Sequence, residues 1–373
     1  MKFQRYGAVA GVAVAASLAL SACGSNNNGG TTTTSTSASA SGSGAAMSCP
    51  SGTLNAAGST AQANAISAAV KAYQTSCSGV TVNYNADGSG SGFTAFLQKQ
   101  ADFAGSDYAL STTQAGQVTT NGRCGSGSAV DIPAVAGAIA VIFNIPNVKS
   151  LDLSAKVLAG IYDGTITNWN SAAIKADNPS ASLPNLTIQP FYRSDTSGTS
   201  YNFSNYLNNL GGFGAANKQF PVKSGVGQGA KGSSAVAAKV KSTPGAIGYA
   251  EYSYATSDDL SYAEVSNAAG TFIPLTQANA ANFISQAKVT QSGEDTKVAF
   301  NYQYSSATAY PNTLVTYEIA CGTGTNATAL PLIKGFLTYL VSAAAQNSFT
   351  SQGYVSLPTS LQTTDAAVIS SLS

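Results

Sequence analysis

Tyr192-Arg193-Ser194-Asp195-Thr196-Ser197-Gly198-Thr199-Ser200 sets one arginine, one carboxylate, several hydroxyls and a glycine directly before the amphipathic run Tyr201-Asn202-Phe203-Ser204-Asn205-Tyr206-Leu207. Just upstream, Thr187-Ile188-Gln189-Pro190-Phe191 reads as a strand, so the stretch is a strand–turn–helix junction. A helix start offers unpaired backbone N–H groups and a partial positive charge. Ser197 and Thr199 add hydroxyl donors, Gly198 permits close backbone approach, and Arg193 brings a fork of charged donors. These are the parts of an oxyanion site. A plain Ser/Thr N-cap with a surface Arg193/Asp195 pair would use the same residues, so the remainder of the chain has to decide.

The pattern recurs. Thr53-Leu54-Asn55-Ala56-Ala57 reads as a strand, and Gly58-Ser59-Thr60 leads into a helix carrying Ala65, Ile66, Ala69, Val70 and Tyr73 at a spacing near 3.6. Val80-Thr81-Val82-Asn83-Tyr84 is a second strand, followed by Gly88-Ser89-Gly90-Ser91-Gly92 and a helix with Phe93, Phe96 and Leu97. A third strand, Ala101-Asp102-Phe103-Ala104-Gly105, ends at Ser106-Asp107, and the apolar run from Ala134 to Asn144 suits a buried strand. Strands alternating with helices predict an α/β fold with parallel sheets, in which ligands gather at the carboxyl ends of the strands. Gly88 to Gly92 alone is weak evidence and lacks the lysine of a P-loop. Four polar turns sharing that one position are stronger.

The 373-residue chain opens with Lys2 and Arg5, an apolar run from about Tyr6 to Leu20, and Leu20-Ser21-Ala22-Cys23. A basic start, a short apolar segment and small residues at a cleavage point predict a signal peptide over 1–22. That run is too short and too rich in Ala and Gly to be a good bilayer span, and no later stretch is long and apolar enough. Leu-Ser-Ala-Cys resembles a bacterial lipobox, which implies that Cys23 is lipidated and heads the mature chain. Residues 23–47 are almost entirely Gly, Ser, Thr, Asn and Ala, a composition that predicts a flexible stalk. Of the 17 basic residues, Lys2 and Arg5 leave with the signal, so 15 remain against 16 acidic ones. This balance argues against a nucleic-acid partner, and it means that a bound anion is held by local donors and not by an overall field.

The chain contains no histidine, which excludes Ser-His-Asp and Cys-His catalytic sets and removes the commonest metal ligand. No catalytic residue, metal or cofactor is expected. Cys49, Cys77, Cys124 and Cys321 make an even number in a secreted chain, consistent with two disulfides in any of three connectivities. Cys49 starts a strand and Cys77 ends the helix that returns along it, which favours Cys49–Cys77 and leaves Cys124–Cys321 by elimination.

With these residues in view, the chain resembles the phosphate-binding proteins of bacterial phosphate ABC importers, the PstS family, over nearly all of residues 50–370. The resemblance rests on Gly58-Ser59-Thr60, Gly88-Ser89, Gly105-Ser106-Asp107 and Arg193 to Ser200, with Gly160-Ile161-Tyr162-Asp163-Gly164-Thr165-Ile166-Thr167-Asn168-Trp169 and Pro244-Gly245-Ala246-Ile247-Gly248-Tyr249-Ala250-Glu251-Tyr252 further along. It implies a two-lobed periplasmic-binding-protein-like fold of type II, each lobe a mixed, mostly parallel sheet flanked by helices, with phosphate enclosed between the lobes. By the same resemblance Thr60 donates through hydroxyl and backbone, Ser89 donates from the second turn, and Asp107 accepts from the protonated phosphate oxygen. Arg193 gives charge-assisted bonds, Ser197, Gly198 and Thr199 contribute hydroxyl and backbone donors, and Asp195 holds Arg193. Many members carry a large apolar residue after the threonine; Ala61 stands here, which keeps its backbone N–H contact but leaves the pocket wall less filled. Trp169 and the aromatic residues of Ala246 to Tyr252 read as packing.

The lobes implied are discontinuous: 48–136 completed by 309–373, beginning with the strand Thr313 to Ala320, and 137–308 between them. The function implied is a monomeric, lipid-anchored receptor on the extracytoplasmic face of the cell membrane, which delivers phosphate to the permease and ATPase subunits of an importer. A phosphohydrolase or phosphotransferase using the same anion site, an adhesin or sensor on the same fold, and a sulfate receptor are the competing readings.

Overall fold

In the computed structural model, which describes residues 47–373, the first strand, Gly52–Gly58, lies between two parallel neighbours, Val80–Ala86 and Phe103–Ser106. The helix Ala63–Ser76 joins the first two and buries Ala65, Ile66, Ala69 and Tyr73 at the spacing the sequence shows. The helix Ser89–Leu97 joins the second to the third. Gly58 has a φ of +144°, and a Cβ on it would fall 2.1 Å from the carbonyl oxygen of Gly105. Only glycine fits there, and its presence lets the first and third strands end side by side with Ser59 next to Asp107.

A second parallel set stands at the other end of the sheet. Gln189–Arg193 pairs in parallel with Gln228–Ala230 on one side and Ala246–Glu251 on the other. Antiparallel strands join the two sets. The 16-residue strand Ala129–Asn144 pairs with Thr313–Cys321 through residues 129–138 and with Ala246–Glu251 through residues 139–144. Thr313–Cys321 in turn pairs antiparallel with Phe103–Ser106. The result is a two-lobed α/β architecture on one nine-stranded sheet, parallel toward both ends and antiparallel at its centre. Where the long strand changes partner, Ile139 donates its N–H to the Asn312 carbonyl at 2.8 Å. Its own carbonyl accepts from the Tyr310 hydroxyl and the Asn312 amide. The two central strands are therefore bound to each other at the crossing.

The long strand starts at Ala129, five residues before the apolar run that marks it in the sequence. Asp131 precedes that run, yet it is fully buried, and both of its carboxyl oxygens accept the Leu110 N–H. Burial and the charge of nearby Asp295 push the Asp131 pKa well above the usual carboxylate range, and a hydrogen-bonded neutral acid costs far less to bury than an unpaired charge, so the strand continues through it. Trp169 is fully buried and donates its ring N–H to the Gly245 carbonyl at 3.0 Å, a core residue as its sequence context suggests.

Cys49 is bonded to Cys77 and Cys124 to Cys321. No single described helix is long and apolar enough to cross a membrane. The bent pair Ala329–Leu340 and Ala343–Thr350 approaches that composition jointly, and it buries Leu332, Ile333, Phe336, Leu337 and Phe349 in the protein core. The expected signal peptide, the lipidated Cys23 and the stalk through residue 46 lie outside the described residues.

Candidate functional site

Arg193 ends its strand with a side chain only 1% exposed. A guanidinium removed from water this completely needs partners on each face of its fork. Asp195 takes two of them: Oδ1 accepts from Nε at 2.8 Å, and Oδ2 accepts from the terminal Nη2. The other nitrogen, Nη1, donates to Thr199 Oγ1 at 3.2 Å and to Ser233 Oγ at 3.0 Å. Burial works against the charge on Arg193, but the hydrogen bonds and charge of Asp195 outweigh it and raise the pKa. Burial likewise pushes Asp195 upward, and Arg193 overcomes this to hold its carboxyl below the usual range. The pair is thus ionised and formally neutral, with one face of the guanidinium turned to hydroxyls.

The turn after Arg193 starts the helix Gly198–Gly211, capped by Ser197, whose Oγ accepts the Ser200 N–H at 3.1 Å. A Cβ on Gly198 would lie 2.4 Å from the Cβ of Asp107. The absence of a side chain is what lets this helix start rest on the third strand. Ser89, first residue of its own helix, bridges the two: its Oγ donates to Asp107 Oδ2 and accepts the backbone N–H groups of Asp107 and Gly198, each at 3.3 Å. Asn202 closes the contact from below by donating to the Asp107 carbonyl at 2.6 Å.

Asp107 is itself 3% exposed. Ser59 Oγ donates to its Oδ1, and Ser89 to its Oδ2. Burial drives its pKa up to about 7; the Ser59 hydrogen bond opposes the rise, the Glu251 carboxylate adds to it, and Arg193 opposes it again. An acid poised near neutrality stands, therefore, among hydroxyl, amide and guanidinium donors. Two more buried carboxylates lie close. Glu251 Oε1 accepts from Thr199 Oγ1 at 2.7 Å while its Oε2 has no described partner. Glu318, on the strand beside Gly105, is fully buried with both oxygens unpaired, and burial lifts its pKa to about 8, Gln62 opposing and Asp107 adding.

Ser89, Asp107 and Gly198 form one hydrogen-bonded set and Arg193, Thr199 and Ser233 a second, and the two meet where Gly198 is followed by Thr199. Thr60 joins the second through Ser233, with the two hydroxyls 3.0 Å apart. Ala61 is fully buried, its N–H donating to Ser59 Oγ at 2.9 Å and its carbonyl accepting from Tyr354. Ser197 stands at the helix cap. Sequence reasoning missed four contributors. Ser59 and Ser233 were within reach, since Gly232-Ser233 starts a helix after a strand just as Gly58-Ser59 and Gly88-Ser89 follow theirs. Tyr249 packs its ring 4.5 Å from Phe203, as expected of core, but its hydroxyl also accepts the Arg193 N–H at 3.1 Å and pairs with Ser200 Oγ. Nothing in the local pattern around Glu251 marks it. Among the described residues no group of three His, Cys, Asp or Glu side chains could hold a metal ion.

A family model described as the PBP superfamily domain matches residues 29–344. The chain is 39% identical over 313 residues to phosphate-binding protein PstS 3 of Mycobacterium tuberculosis, covering 82% of this chain and 83% of that one. It is 37% identical over 327 residues to phosphate-binding protein PstS 2 of the same organism, covering 86% and 87%. Among solved structures, the phosphate-binding protein of Stenotrophomonas maltophilia superposes with a TM-score of 0.65 at 22% identity, over 85% of this chain and 94% of that one. A periplasmic phosphate-binding protein solved with phosphate gives 0.69 at 23% identity, over 85% and 93%. These structural matches establish the fold.

Because the folded-state pKa of Asp107, about 7, lies above its ordinary value of 3.8, protonation of Asp107 stabilises the fold. That contribution is complete below pH ~4 and is lost as the pH rises through 7. Asp107→Asn, which cannot titrate, should therefore gain stability relative to the wild type between those values and keep a constant advantage above pH ~8. Urea unfolding of the two dialysed proteins across this range measures it; a difference that does not vary with pH would contradict a titrating Asp107.

Proposed function

The chain belongs to the PBP superfamily and, within it, to the PstS family of phosphate-binding proteins, and from that premise we propose that it is an extracytoplasmic receptor that encloses inorganic phosphate and hands it to an ABC importer. One observation carries the ligand assignment. A buried acid, Asp107, stands directly against hydroxyl and backbone N–H donors, with the Arg193 guanidinium near by, and this suits an oxyanion that still carries a proton. Near neutral pH phosphate has at least one proton to donate and sulfate has none. Above the Asp107 pKa of about 7, its carboxylate facing an unprotonated oxyanion is an unpaired like charge, which costs several kcal/mol.

In this reading Arg193 supplies the charged donor, and Asp195 cancels its net charge and fixes its plane. Thr60, Ala61, Ser89, Ser197, Gly198 and Thr199 supply hydroxyl and backbone N–H groups. Binding redirects the Thr199 proton from Glu251 and the Ser89 proton from Asp107 toward the ligand. The site spans two lobes, 48–136 with 309–373 on one side and 137–308 on the other. The hydrogen bonds that join Ile139 to Tyr310 and Asn312 at the strand crossing support a hinge there. Donors from both lobes favour a closed state by contacting the ligand only when the lobes meet. The protein works as a monomer without cofactor, anchored to the membrane by lipid on Cys23 and given reach by the stalk, and it docks on the permease and ATPase subunits of the importer.

Calorimetric titration of Asp107→Asn with phosphate and with sulfate tests the ligand assignment. An amide donor in place of the acceptor should relieve the penalty on sulfate while phosphate loses part of its binding. The phosphate/sulfate ratio should fall by one to several powers of ten, at roughly 1.4 kcal/mol per tenfold; an unaltered ratio would sink the role of Asp107. For the anchor, Cys23→Ser should abolish incorporation of labelled fatty acid, and unchanged labelling would refute it.

A further inference from the structure

A cleft of about 600 Å³ opens beside the buried site. Ser111 and Asn209 at its rim are exposed, whereas Asp107 and Tyr302 in its wall are buried, so it deepens from solvent toward the site's acid. The helix that starts at Gly198 forms one side, with Tyr201, Asn205 and Asn209 at four-residue spacing on a single face. One helix therefore presents its N-terminus to the oxyanion site and its flank to the cleft.

Two lysines line this space, and they differ. Lys297 is committed: its ammonium lies 3.2 Å from Asp295 and donates to the Leu110 carbonyl at 3.1 Å. Lys218 has no ion-pair partner among the described residues. Its ammonium lies 3.7 Å from the centre of the Tyr108 ring and donates to the neutral Gln114 side chain at 2.8 Å. Tyr108 directly follows Asp107, and the Lys218 carbonyl accepts the N–H of the cap residue Ser197 at 2.9 Å. This cation is held between two segments of the site without being neutralised by either. The Tyr302 ring, buried in the cleft wall, closes that side of the space.

We infer that this cleft is the vestibule through which phosphate reaches the buried site, with Lys218 as the cation that captures it. Low-dielectric walls around an unpaired charge concentrate counter-ions and raise association rates. The effect matters here because the chain without its signal segment, with 15 basic and 16 acidic residues, has almost no field of its own. The inference rests on the phosphate reading above. It adds that capture and retention are separate: Lys218 governs how fast the anion arrives, and the buried donors govern how long it stays.

Stopped-flow fluorescence with inorganic phosphate at low ionic strength separates the two. Lys218→Gln should lower the association rate constant by about three- to tenfold and flatten its dependence on salt. Its dissociation rate should stay within about twofold of the wild type. Lys218→Arg should restore fast association, showing that charge and not packing is responsible. Lys334→Gln removes the same charge from a half-buried site outside the cleft, where Lys334 bonds the Ser370 carbonyl, and should leave both constants unchanged. Association by Lys218→Gln at the wild-type rate, or a loss confined to dissociation, would overturn the vestibule while leaving the phosphate reading intact. A wild type that does not bind phosphate would overturn both.

Discussion

A guanidinium sealed from water constrains everything around it. Arg193 is buried more completely than a free ion tolerates, and removing one partner from such a pair costs about 3–5 kcal/mol. Asp195 must therefore be present, must lie in the same plane, and must stay ionised. Its Oδ1 achieves this by also accepting the Gly232 N–H at 3.1 Å, which ties the next helix start to the pair. Once the charges cancel, what Arg193 offers an incoming anion is direction more than attraction. A site built this way can hold an ion tightly in a closed cleft and still release it, because no net positive charge is left to trap it.

The topology exists to bring short turns together around this pair. Ser59-Thr60, Ser89, Asp107 and Gly198-Thr199 come from separate segments, yet each follows the end of a strand in the parallel parts of the sheet. Glycine sets how closely they meet. Without the bare Cα at Gly198, the helix start could not rest on Asp107, and the donors would stand too far from the acceptor to serve one small ion. Burial then does the electrostatic work. The same exclusion of water that raises Asp107 strengthens every hydrogen bond made in its neighbourhood.

Much of this was legible in the sequence wherever the chemistry is local. Arg193 to Ser200 carries the arginine, its carboxylate, the cap and the close-approach glycine within eight consecutive residues, and the strand–turn–helix order around it fixes where they go. Gly58-Ser59-Thr60 and Gly88-Ser89 are legible for the same reason. Glu251 was not, because it meets Thr199 from 52 residues away and nothing in its own segment marks a partner. Ser233 meets Thr60 across 173 residues. Tyr249 looked like core and is core; only the fold shows that its hydroxyl also holds the Arg193 backbone. The start of the long central strand was hidden by Asp131, an acidic residue whose buried carboxyl meets a loop N–H that periodicity cannot see.

The central claim is that a buried acid among donors selects an oxyanion by the proton it carries. Calorimetric titration of the wild-type protein, stripped of bound anions, with phosphate and with sulfate at about pH 9, where Asp107 is ionised and phosphate still carries a proton, tests this most directly. The account requires saturable binding of phosphate in one-to-one stoichiometry, with sulfate weaker by at least two powers of ten, roughly 3 kcal/mol. Equal heats and affinities for the two anions would contradict it.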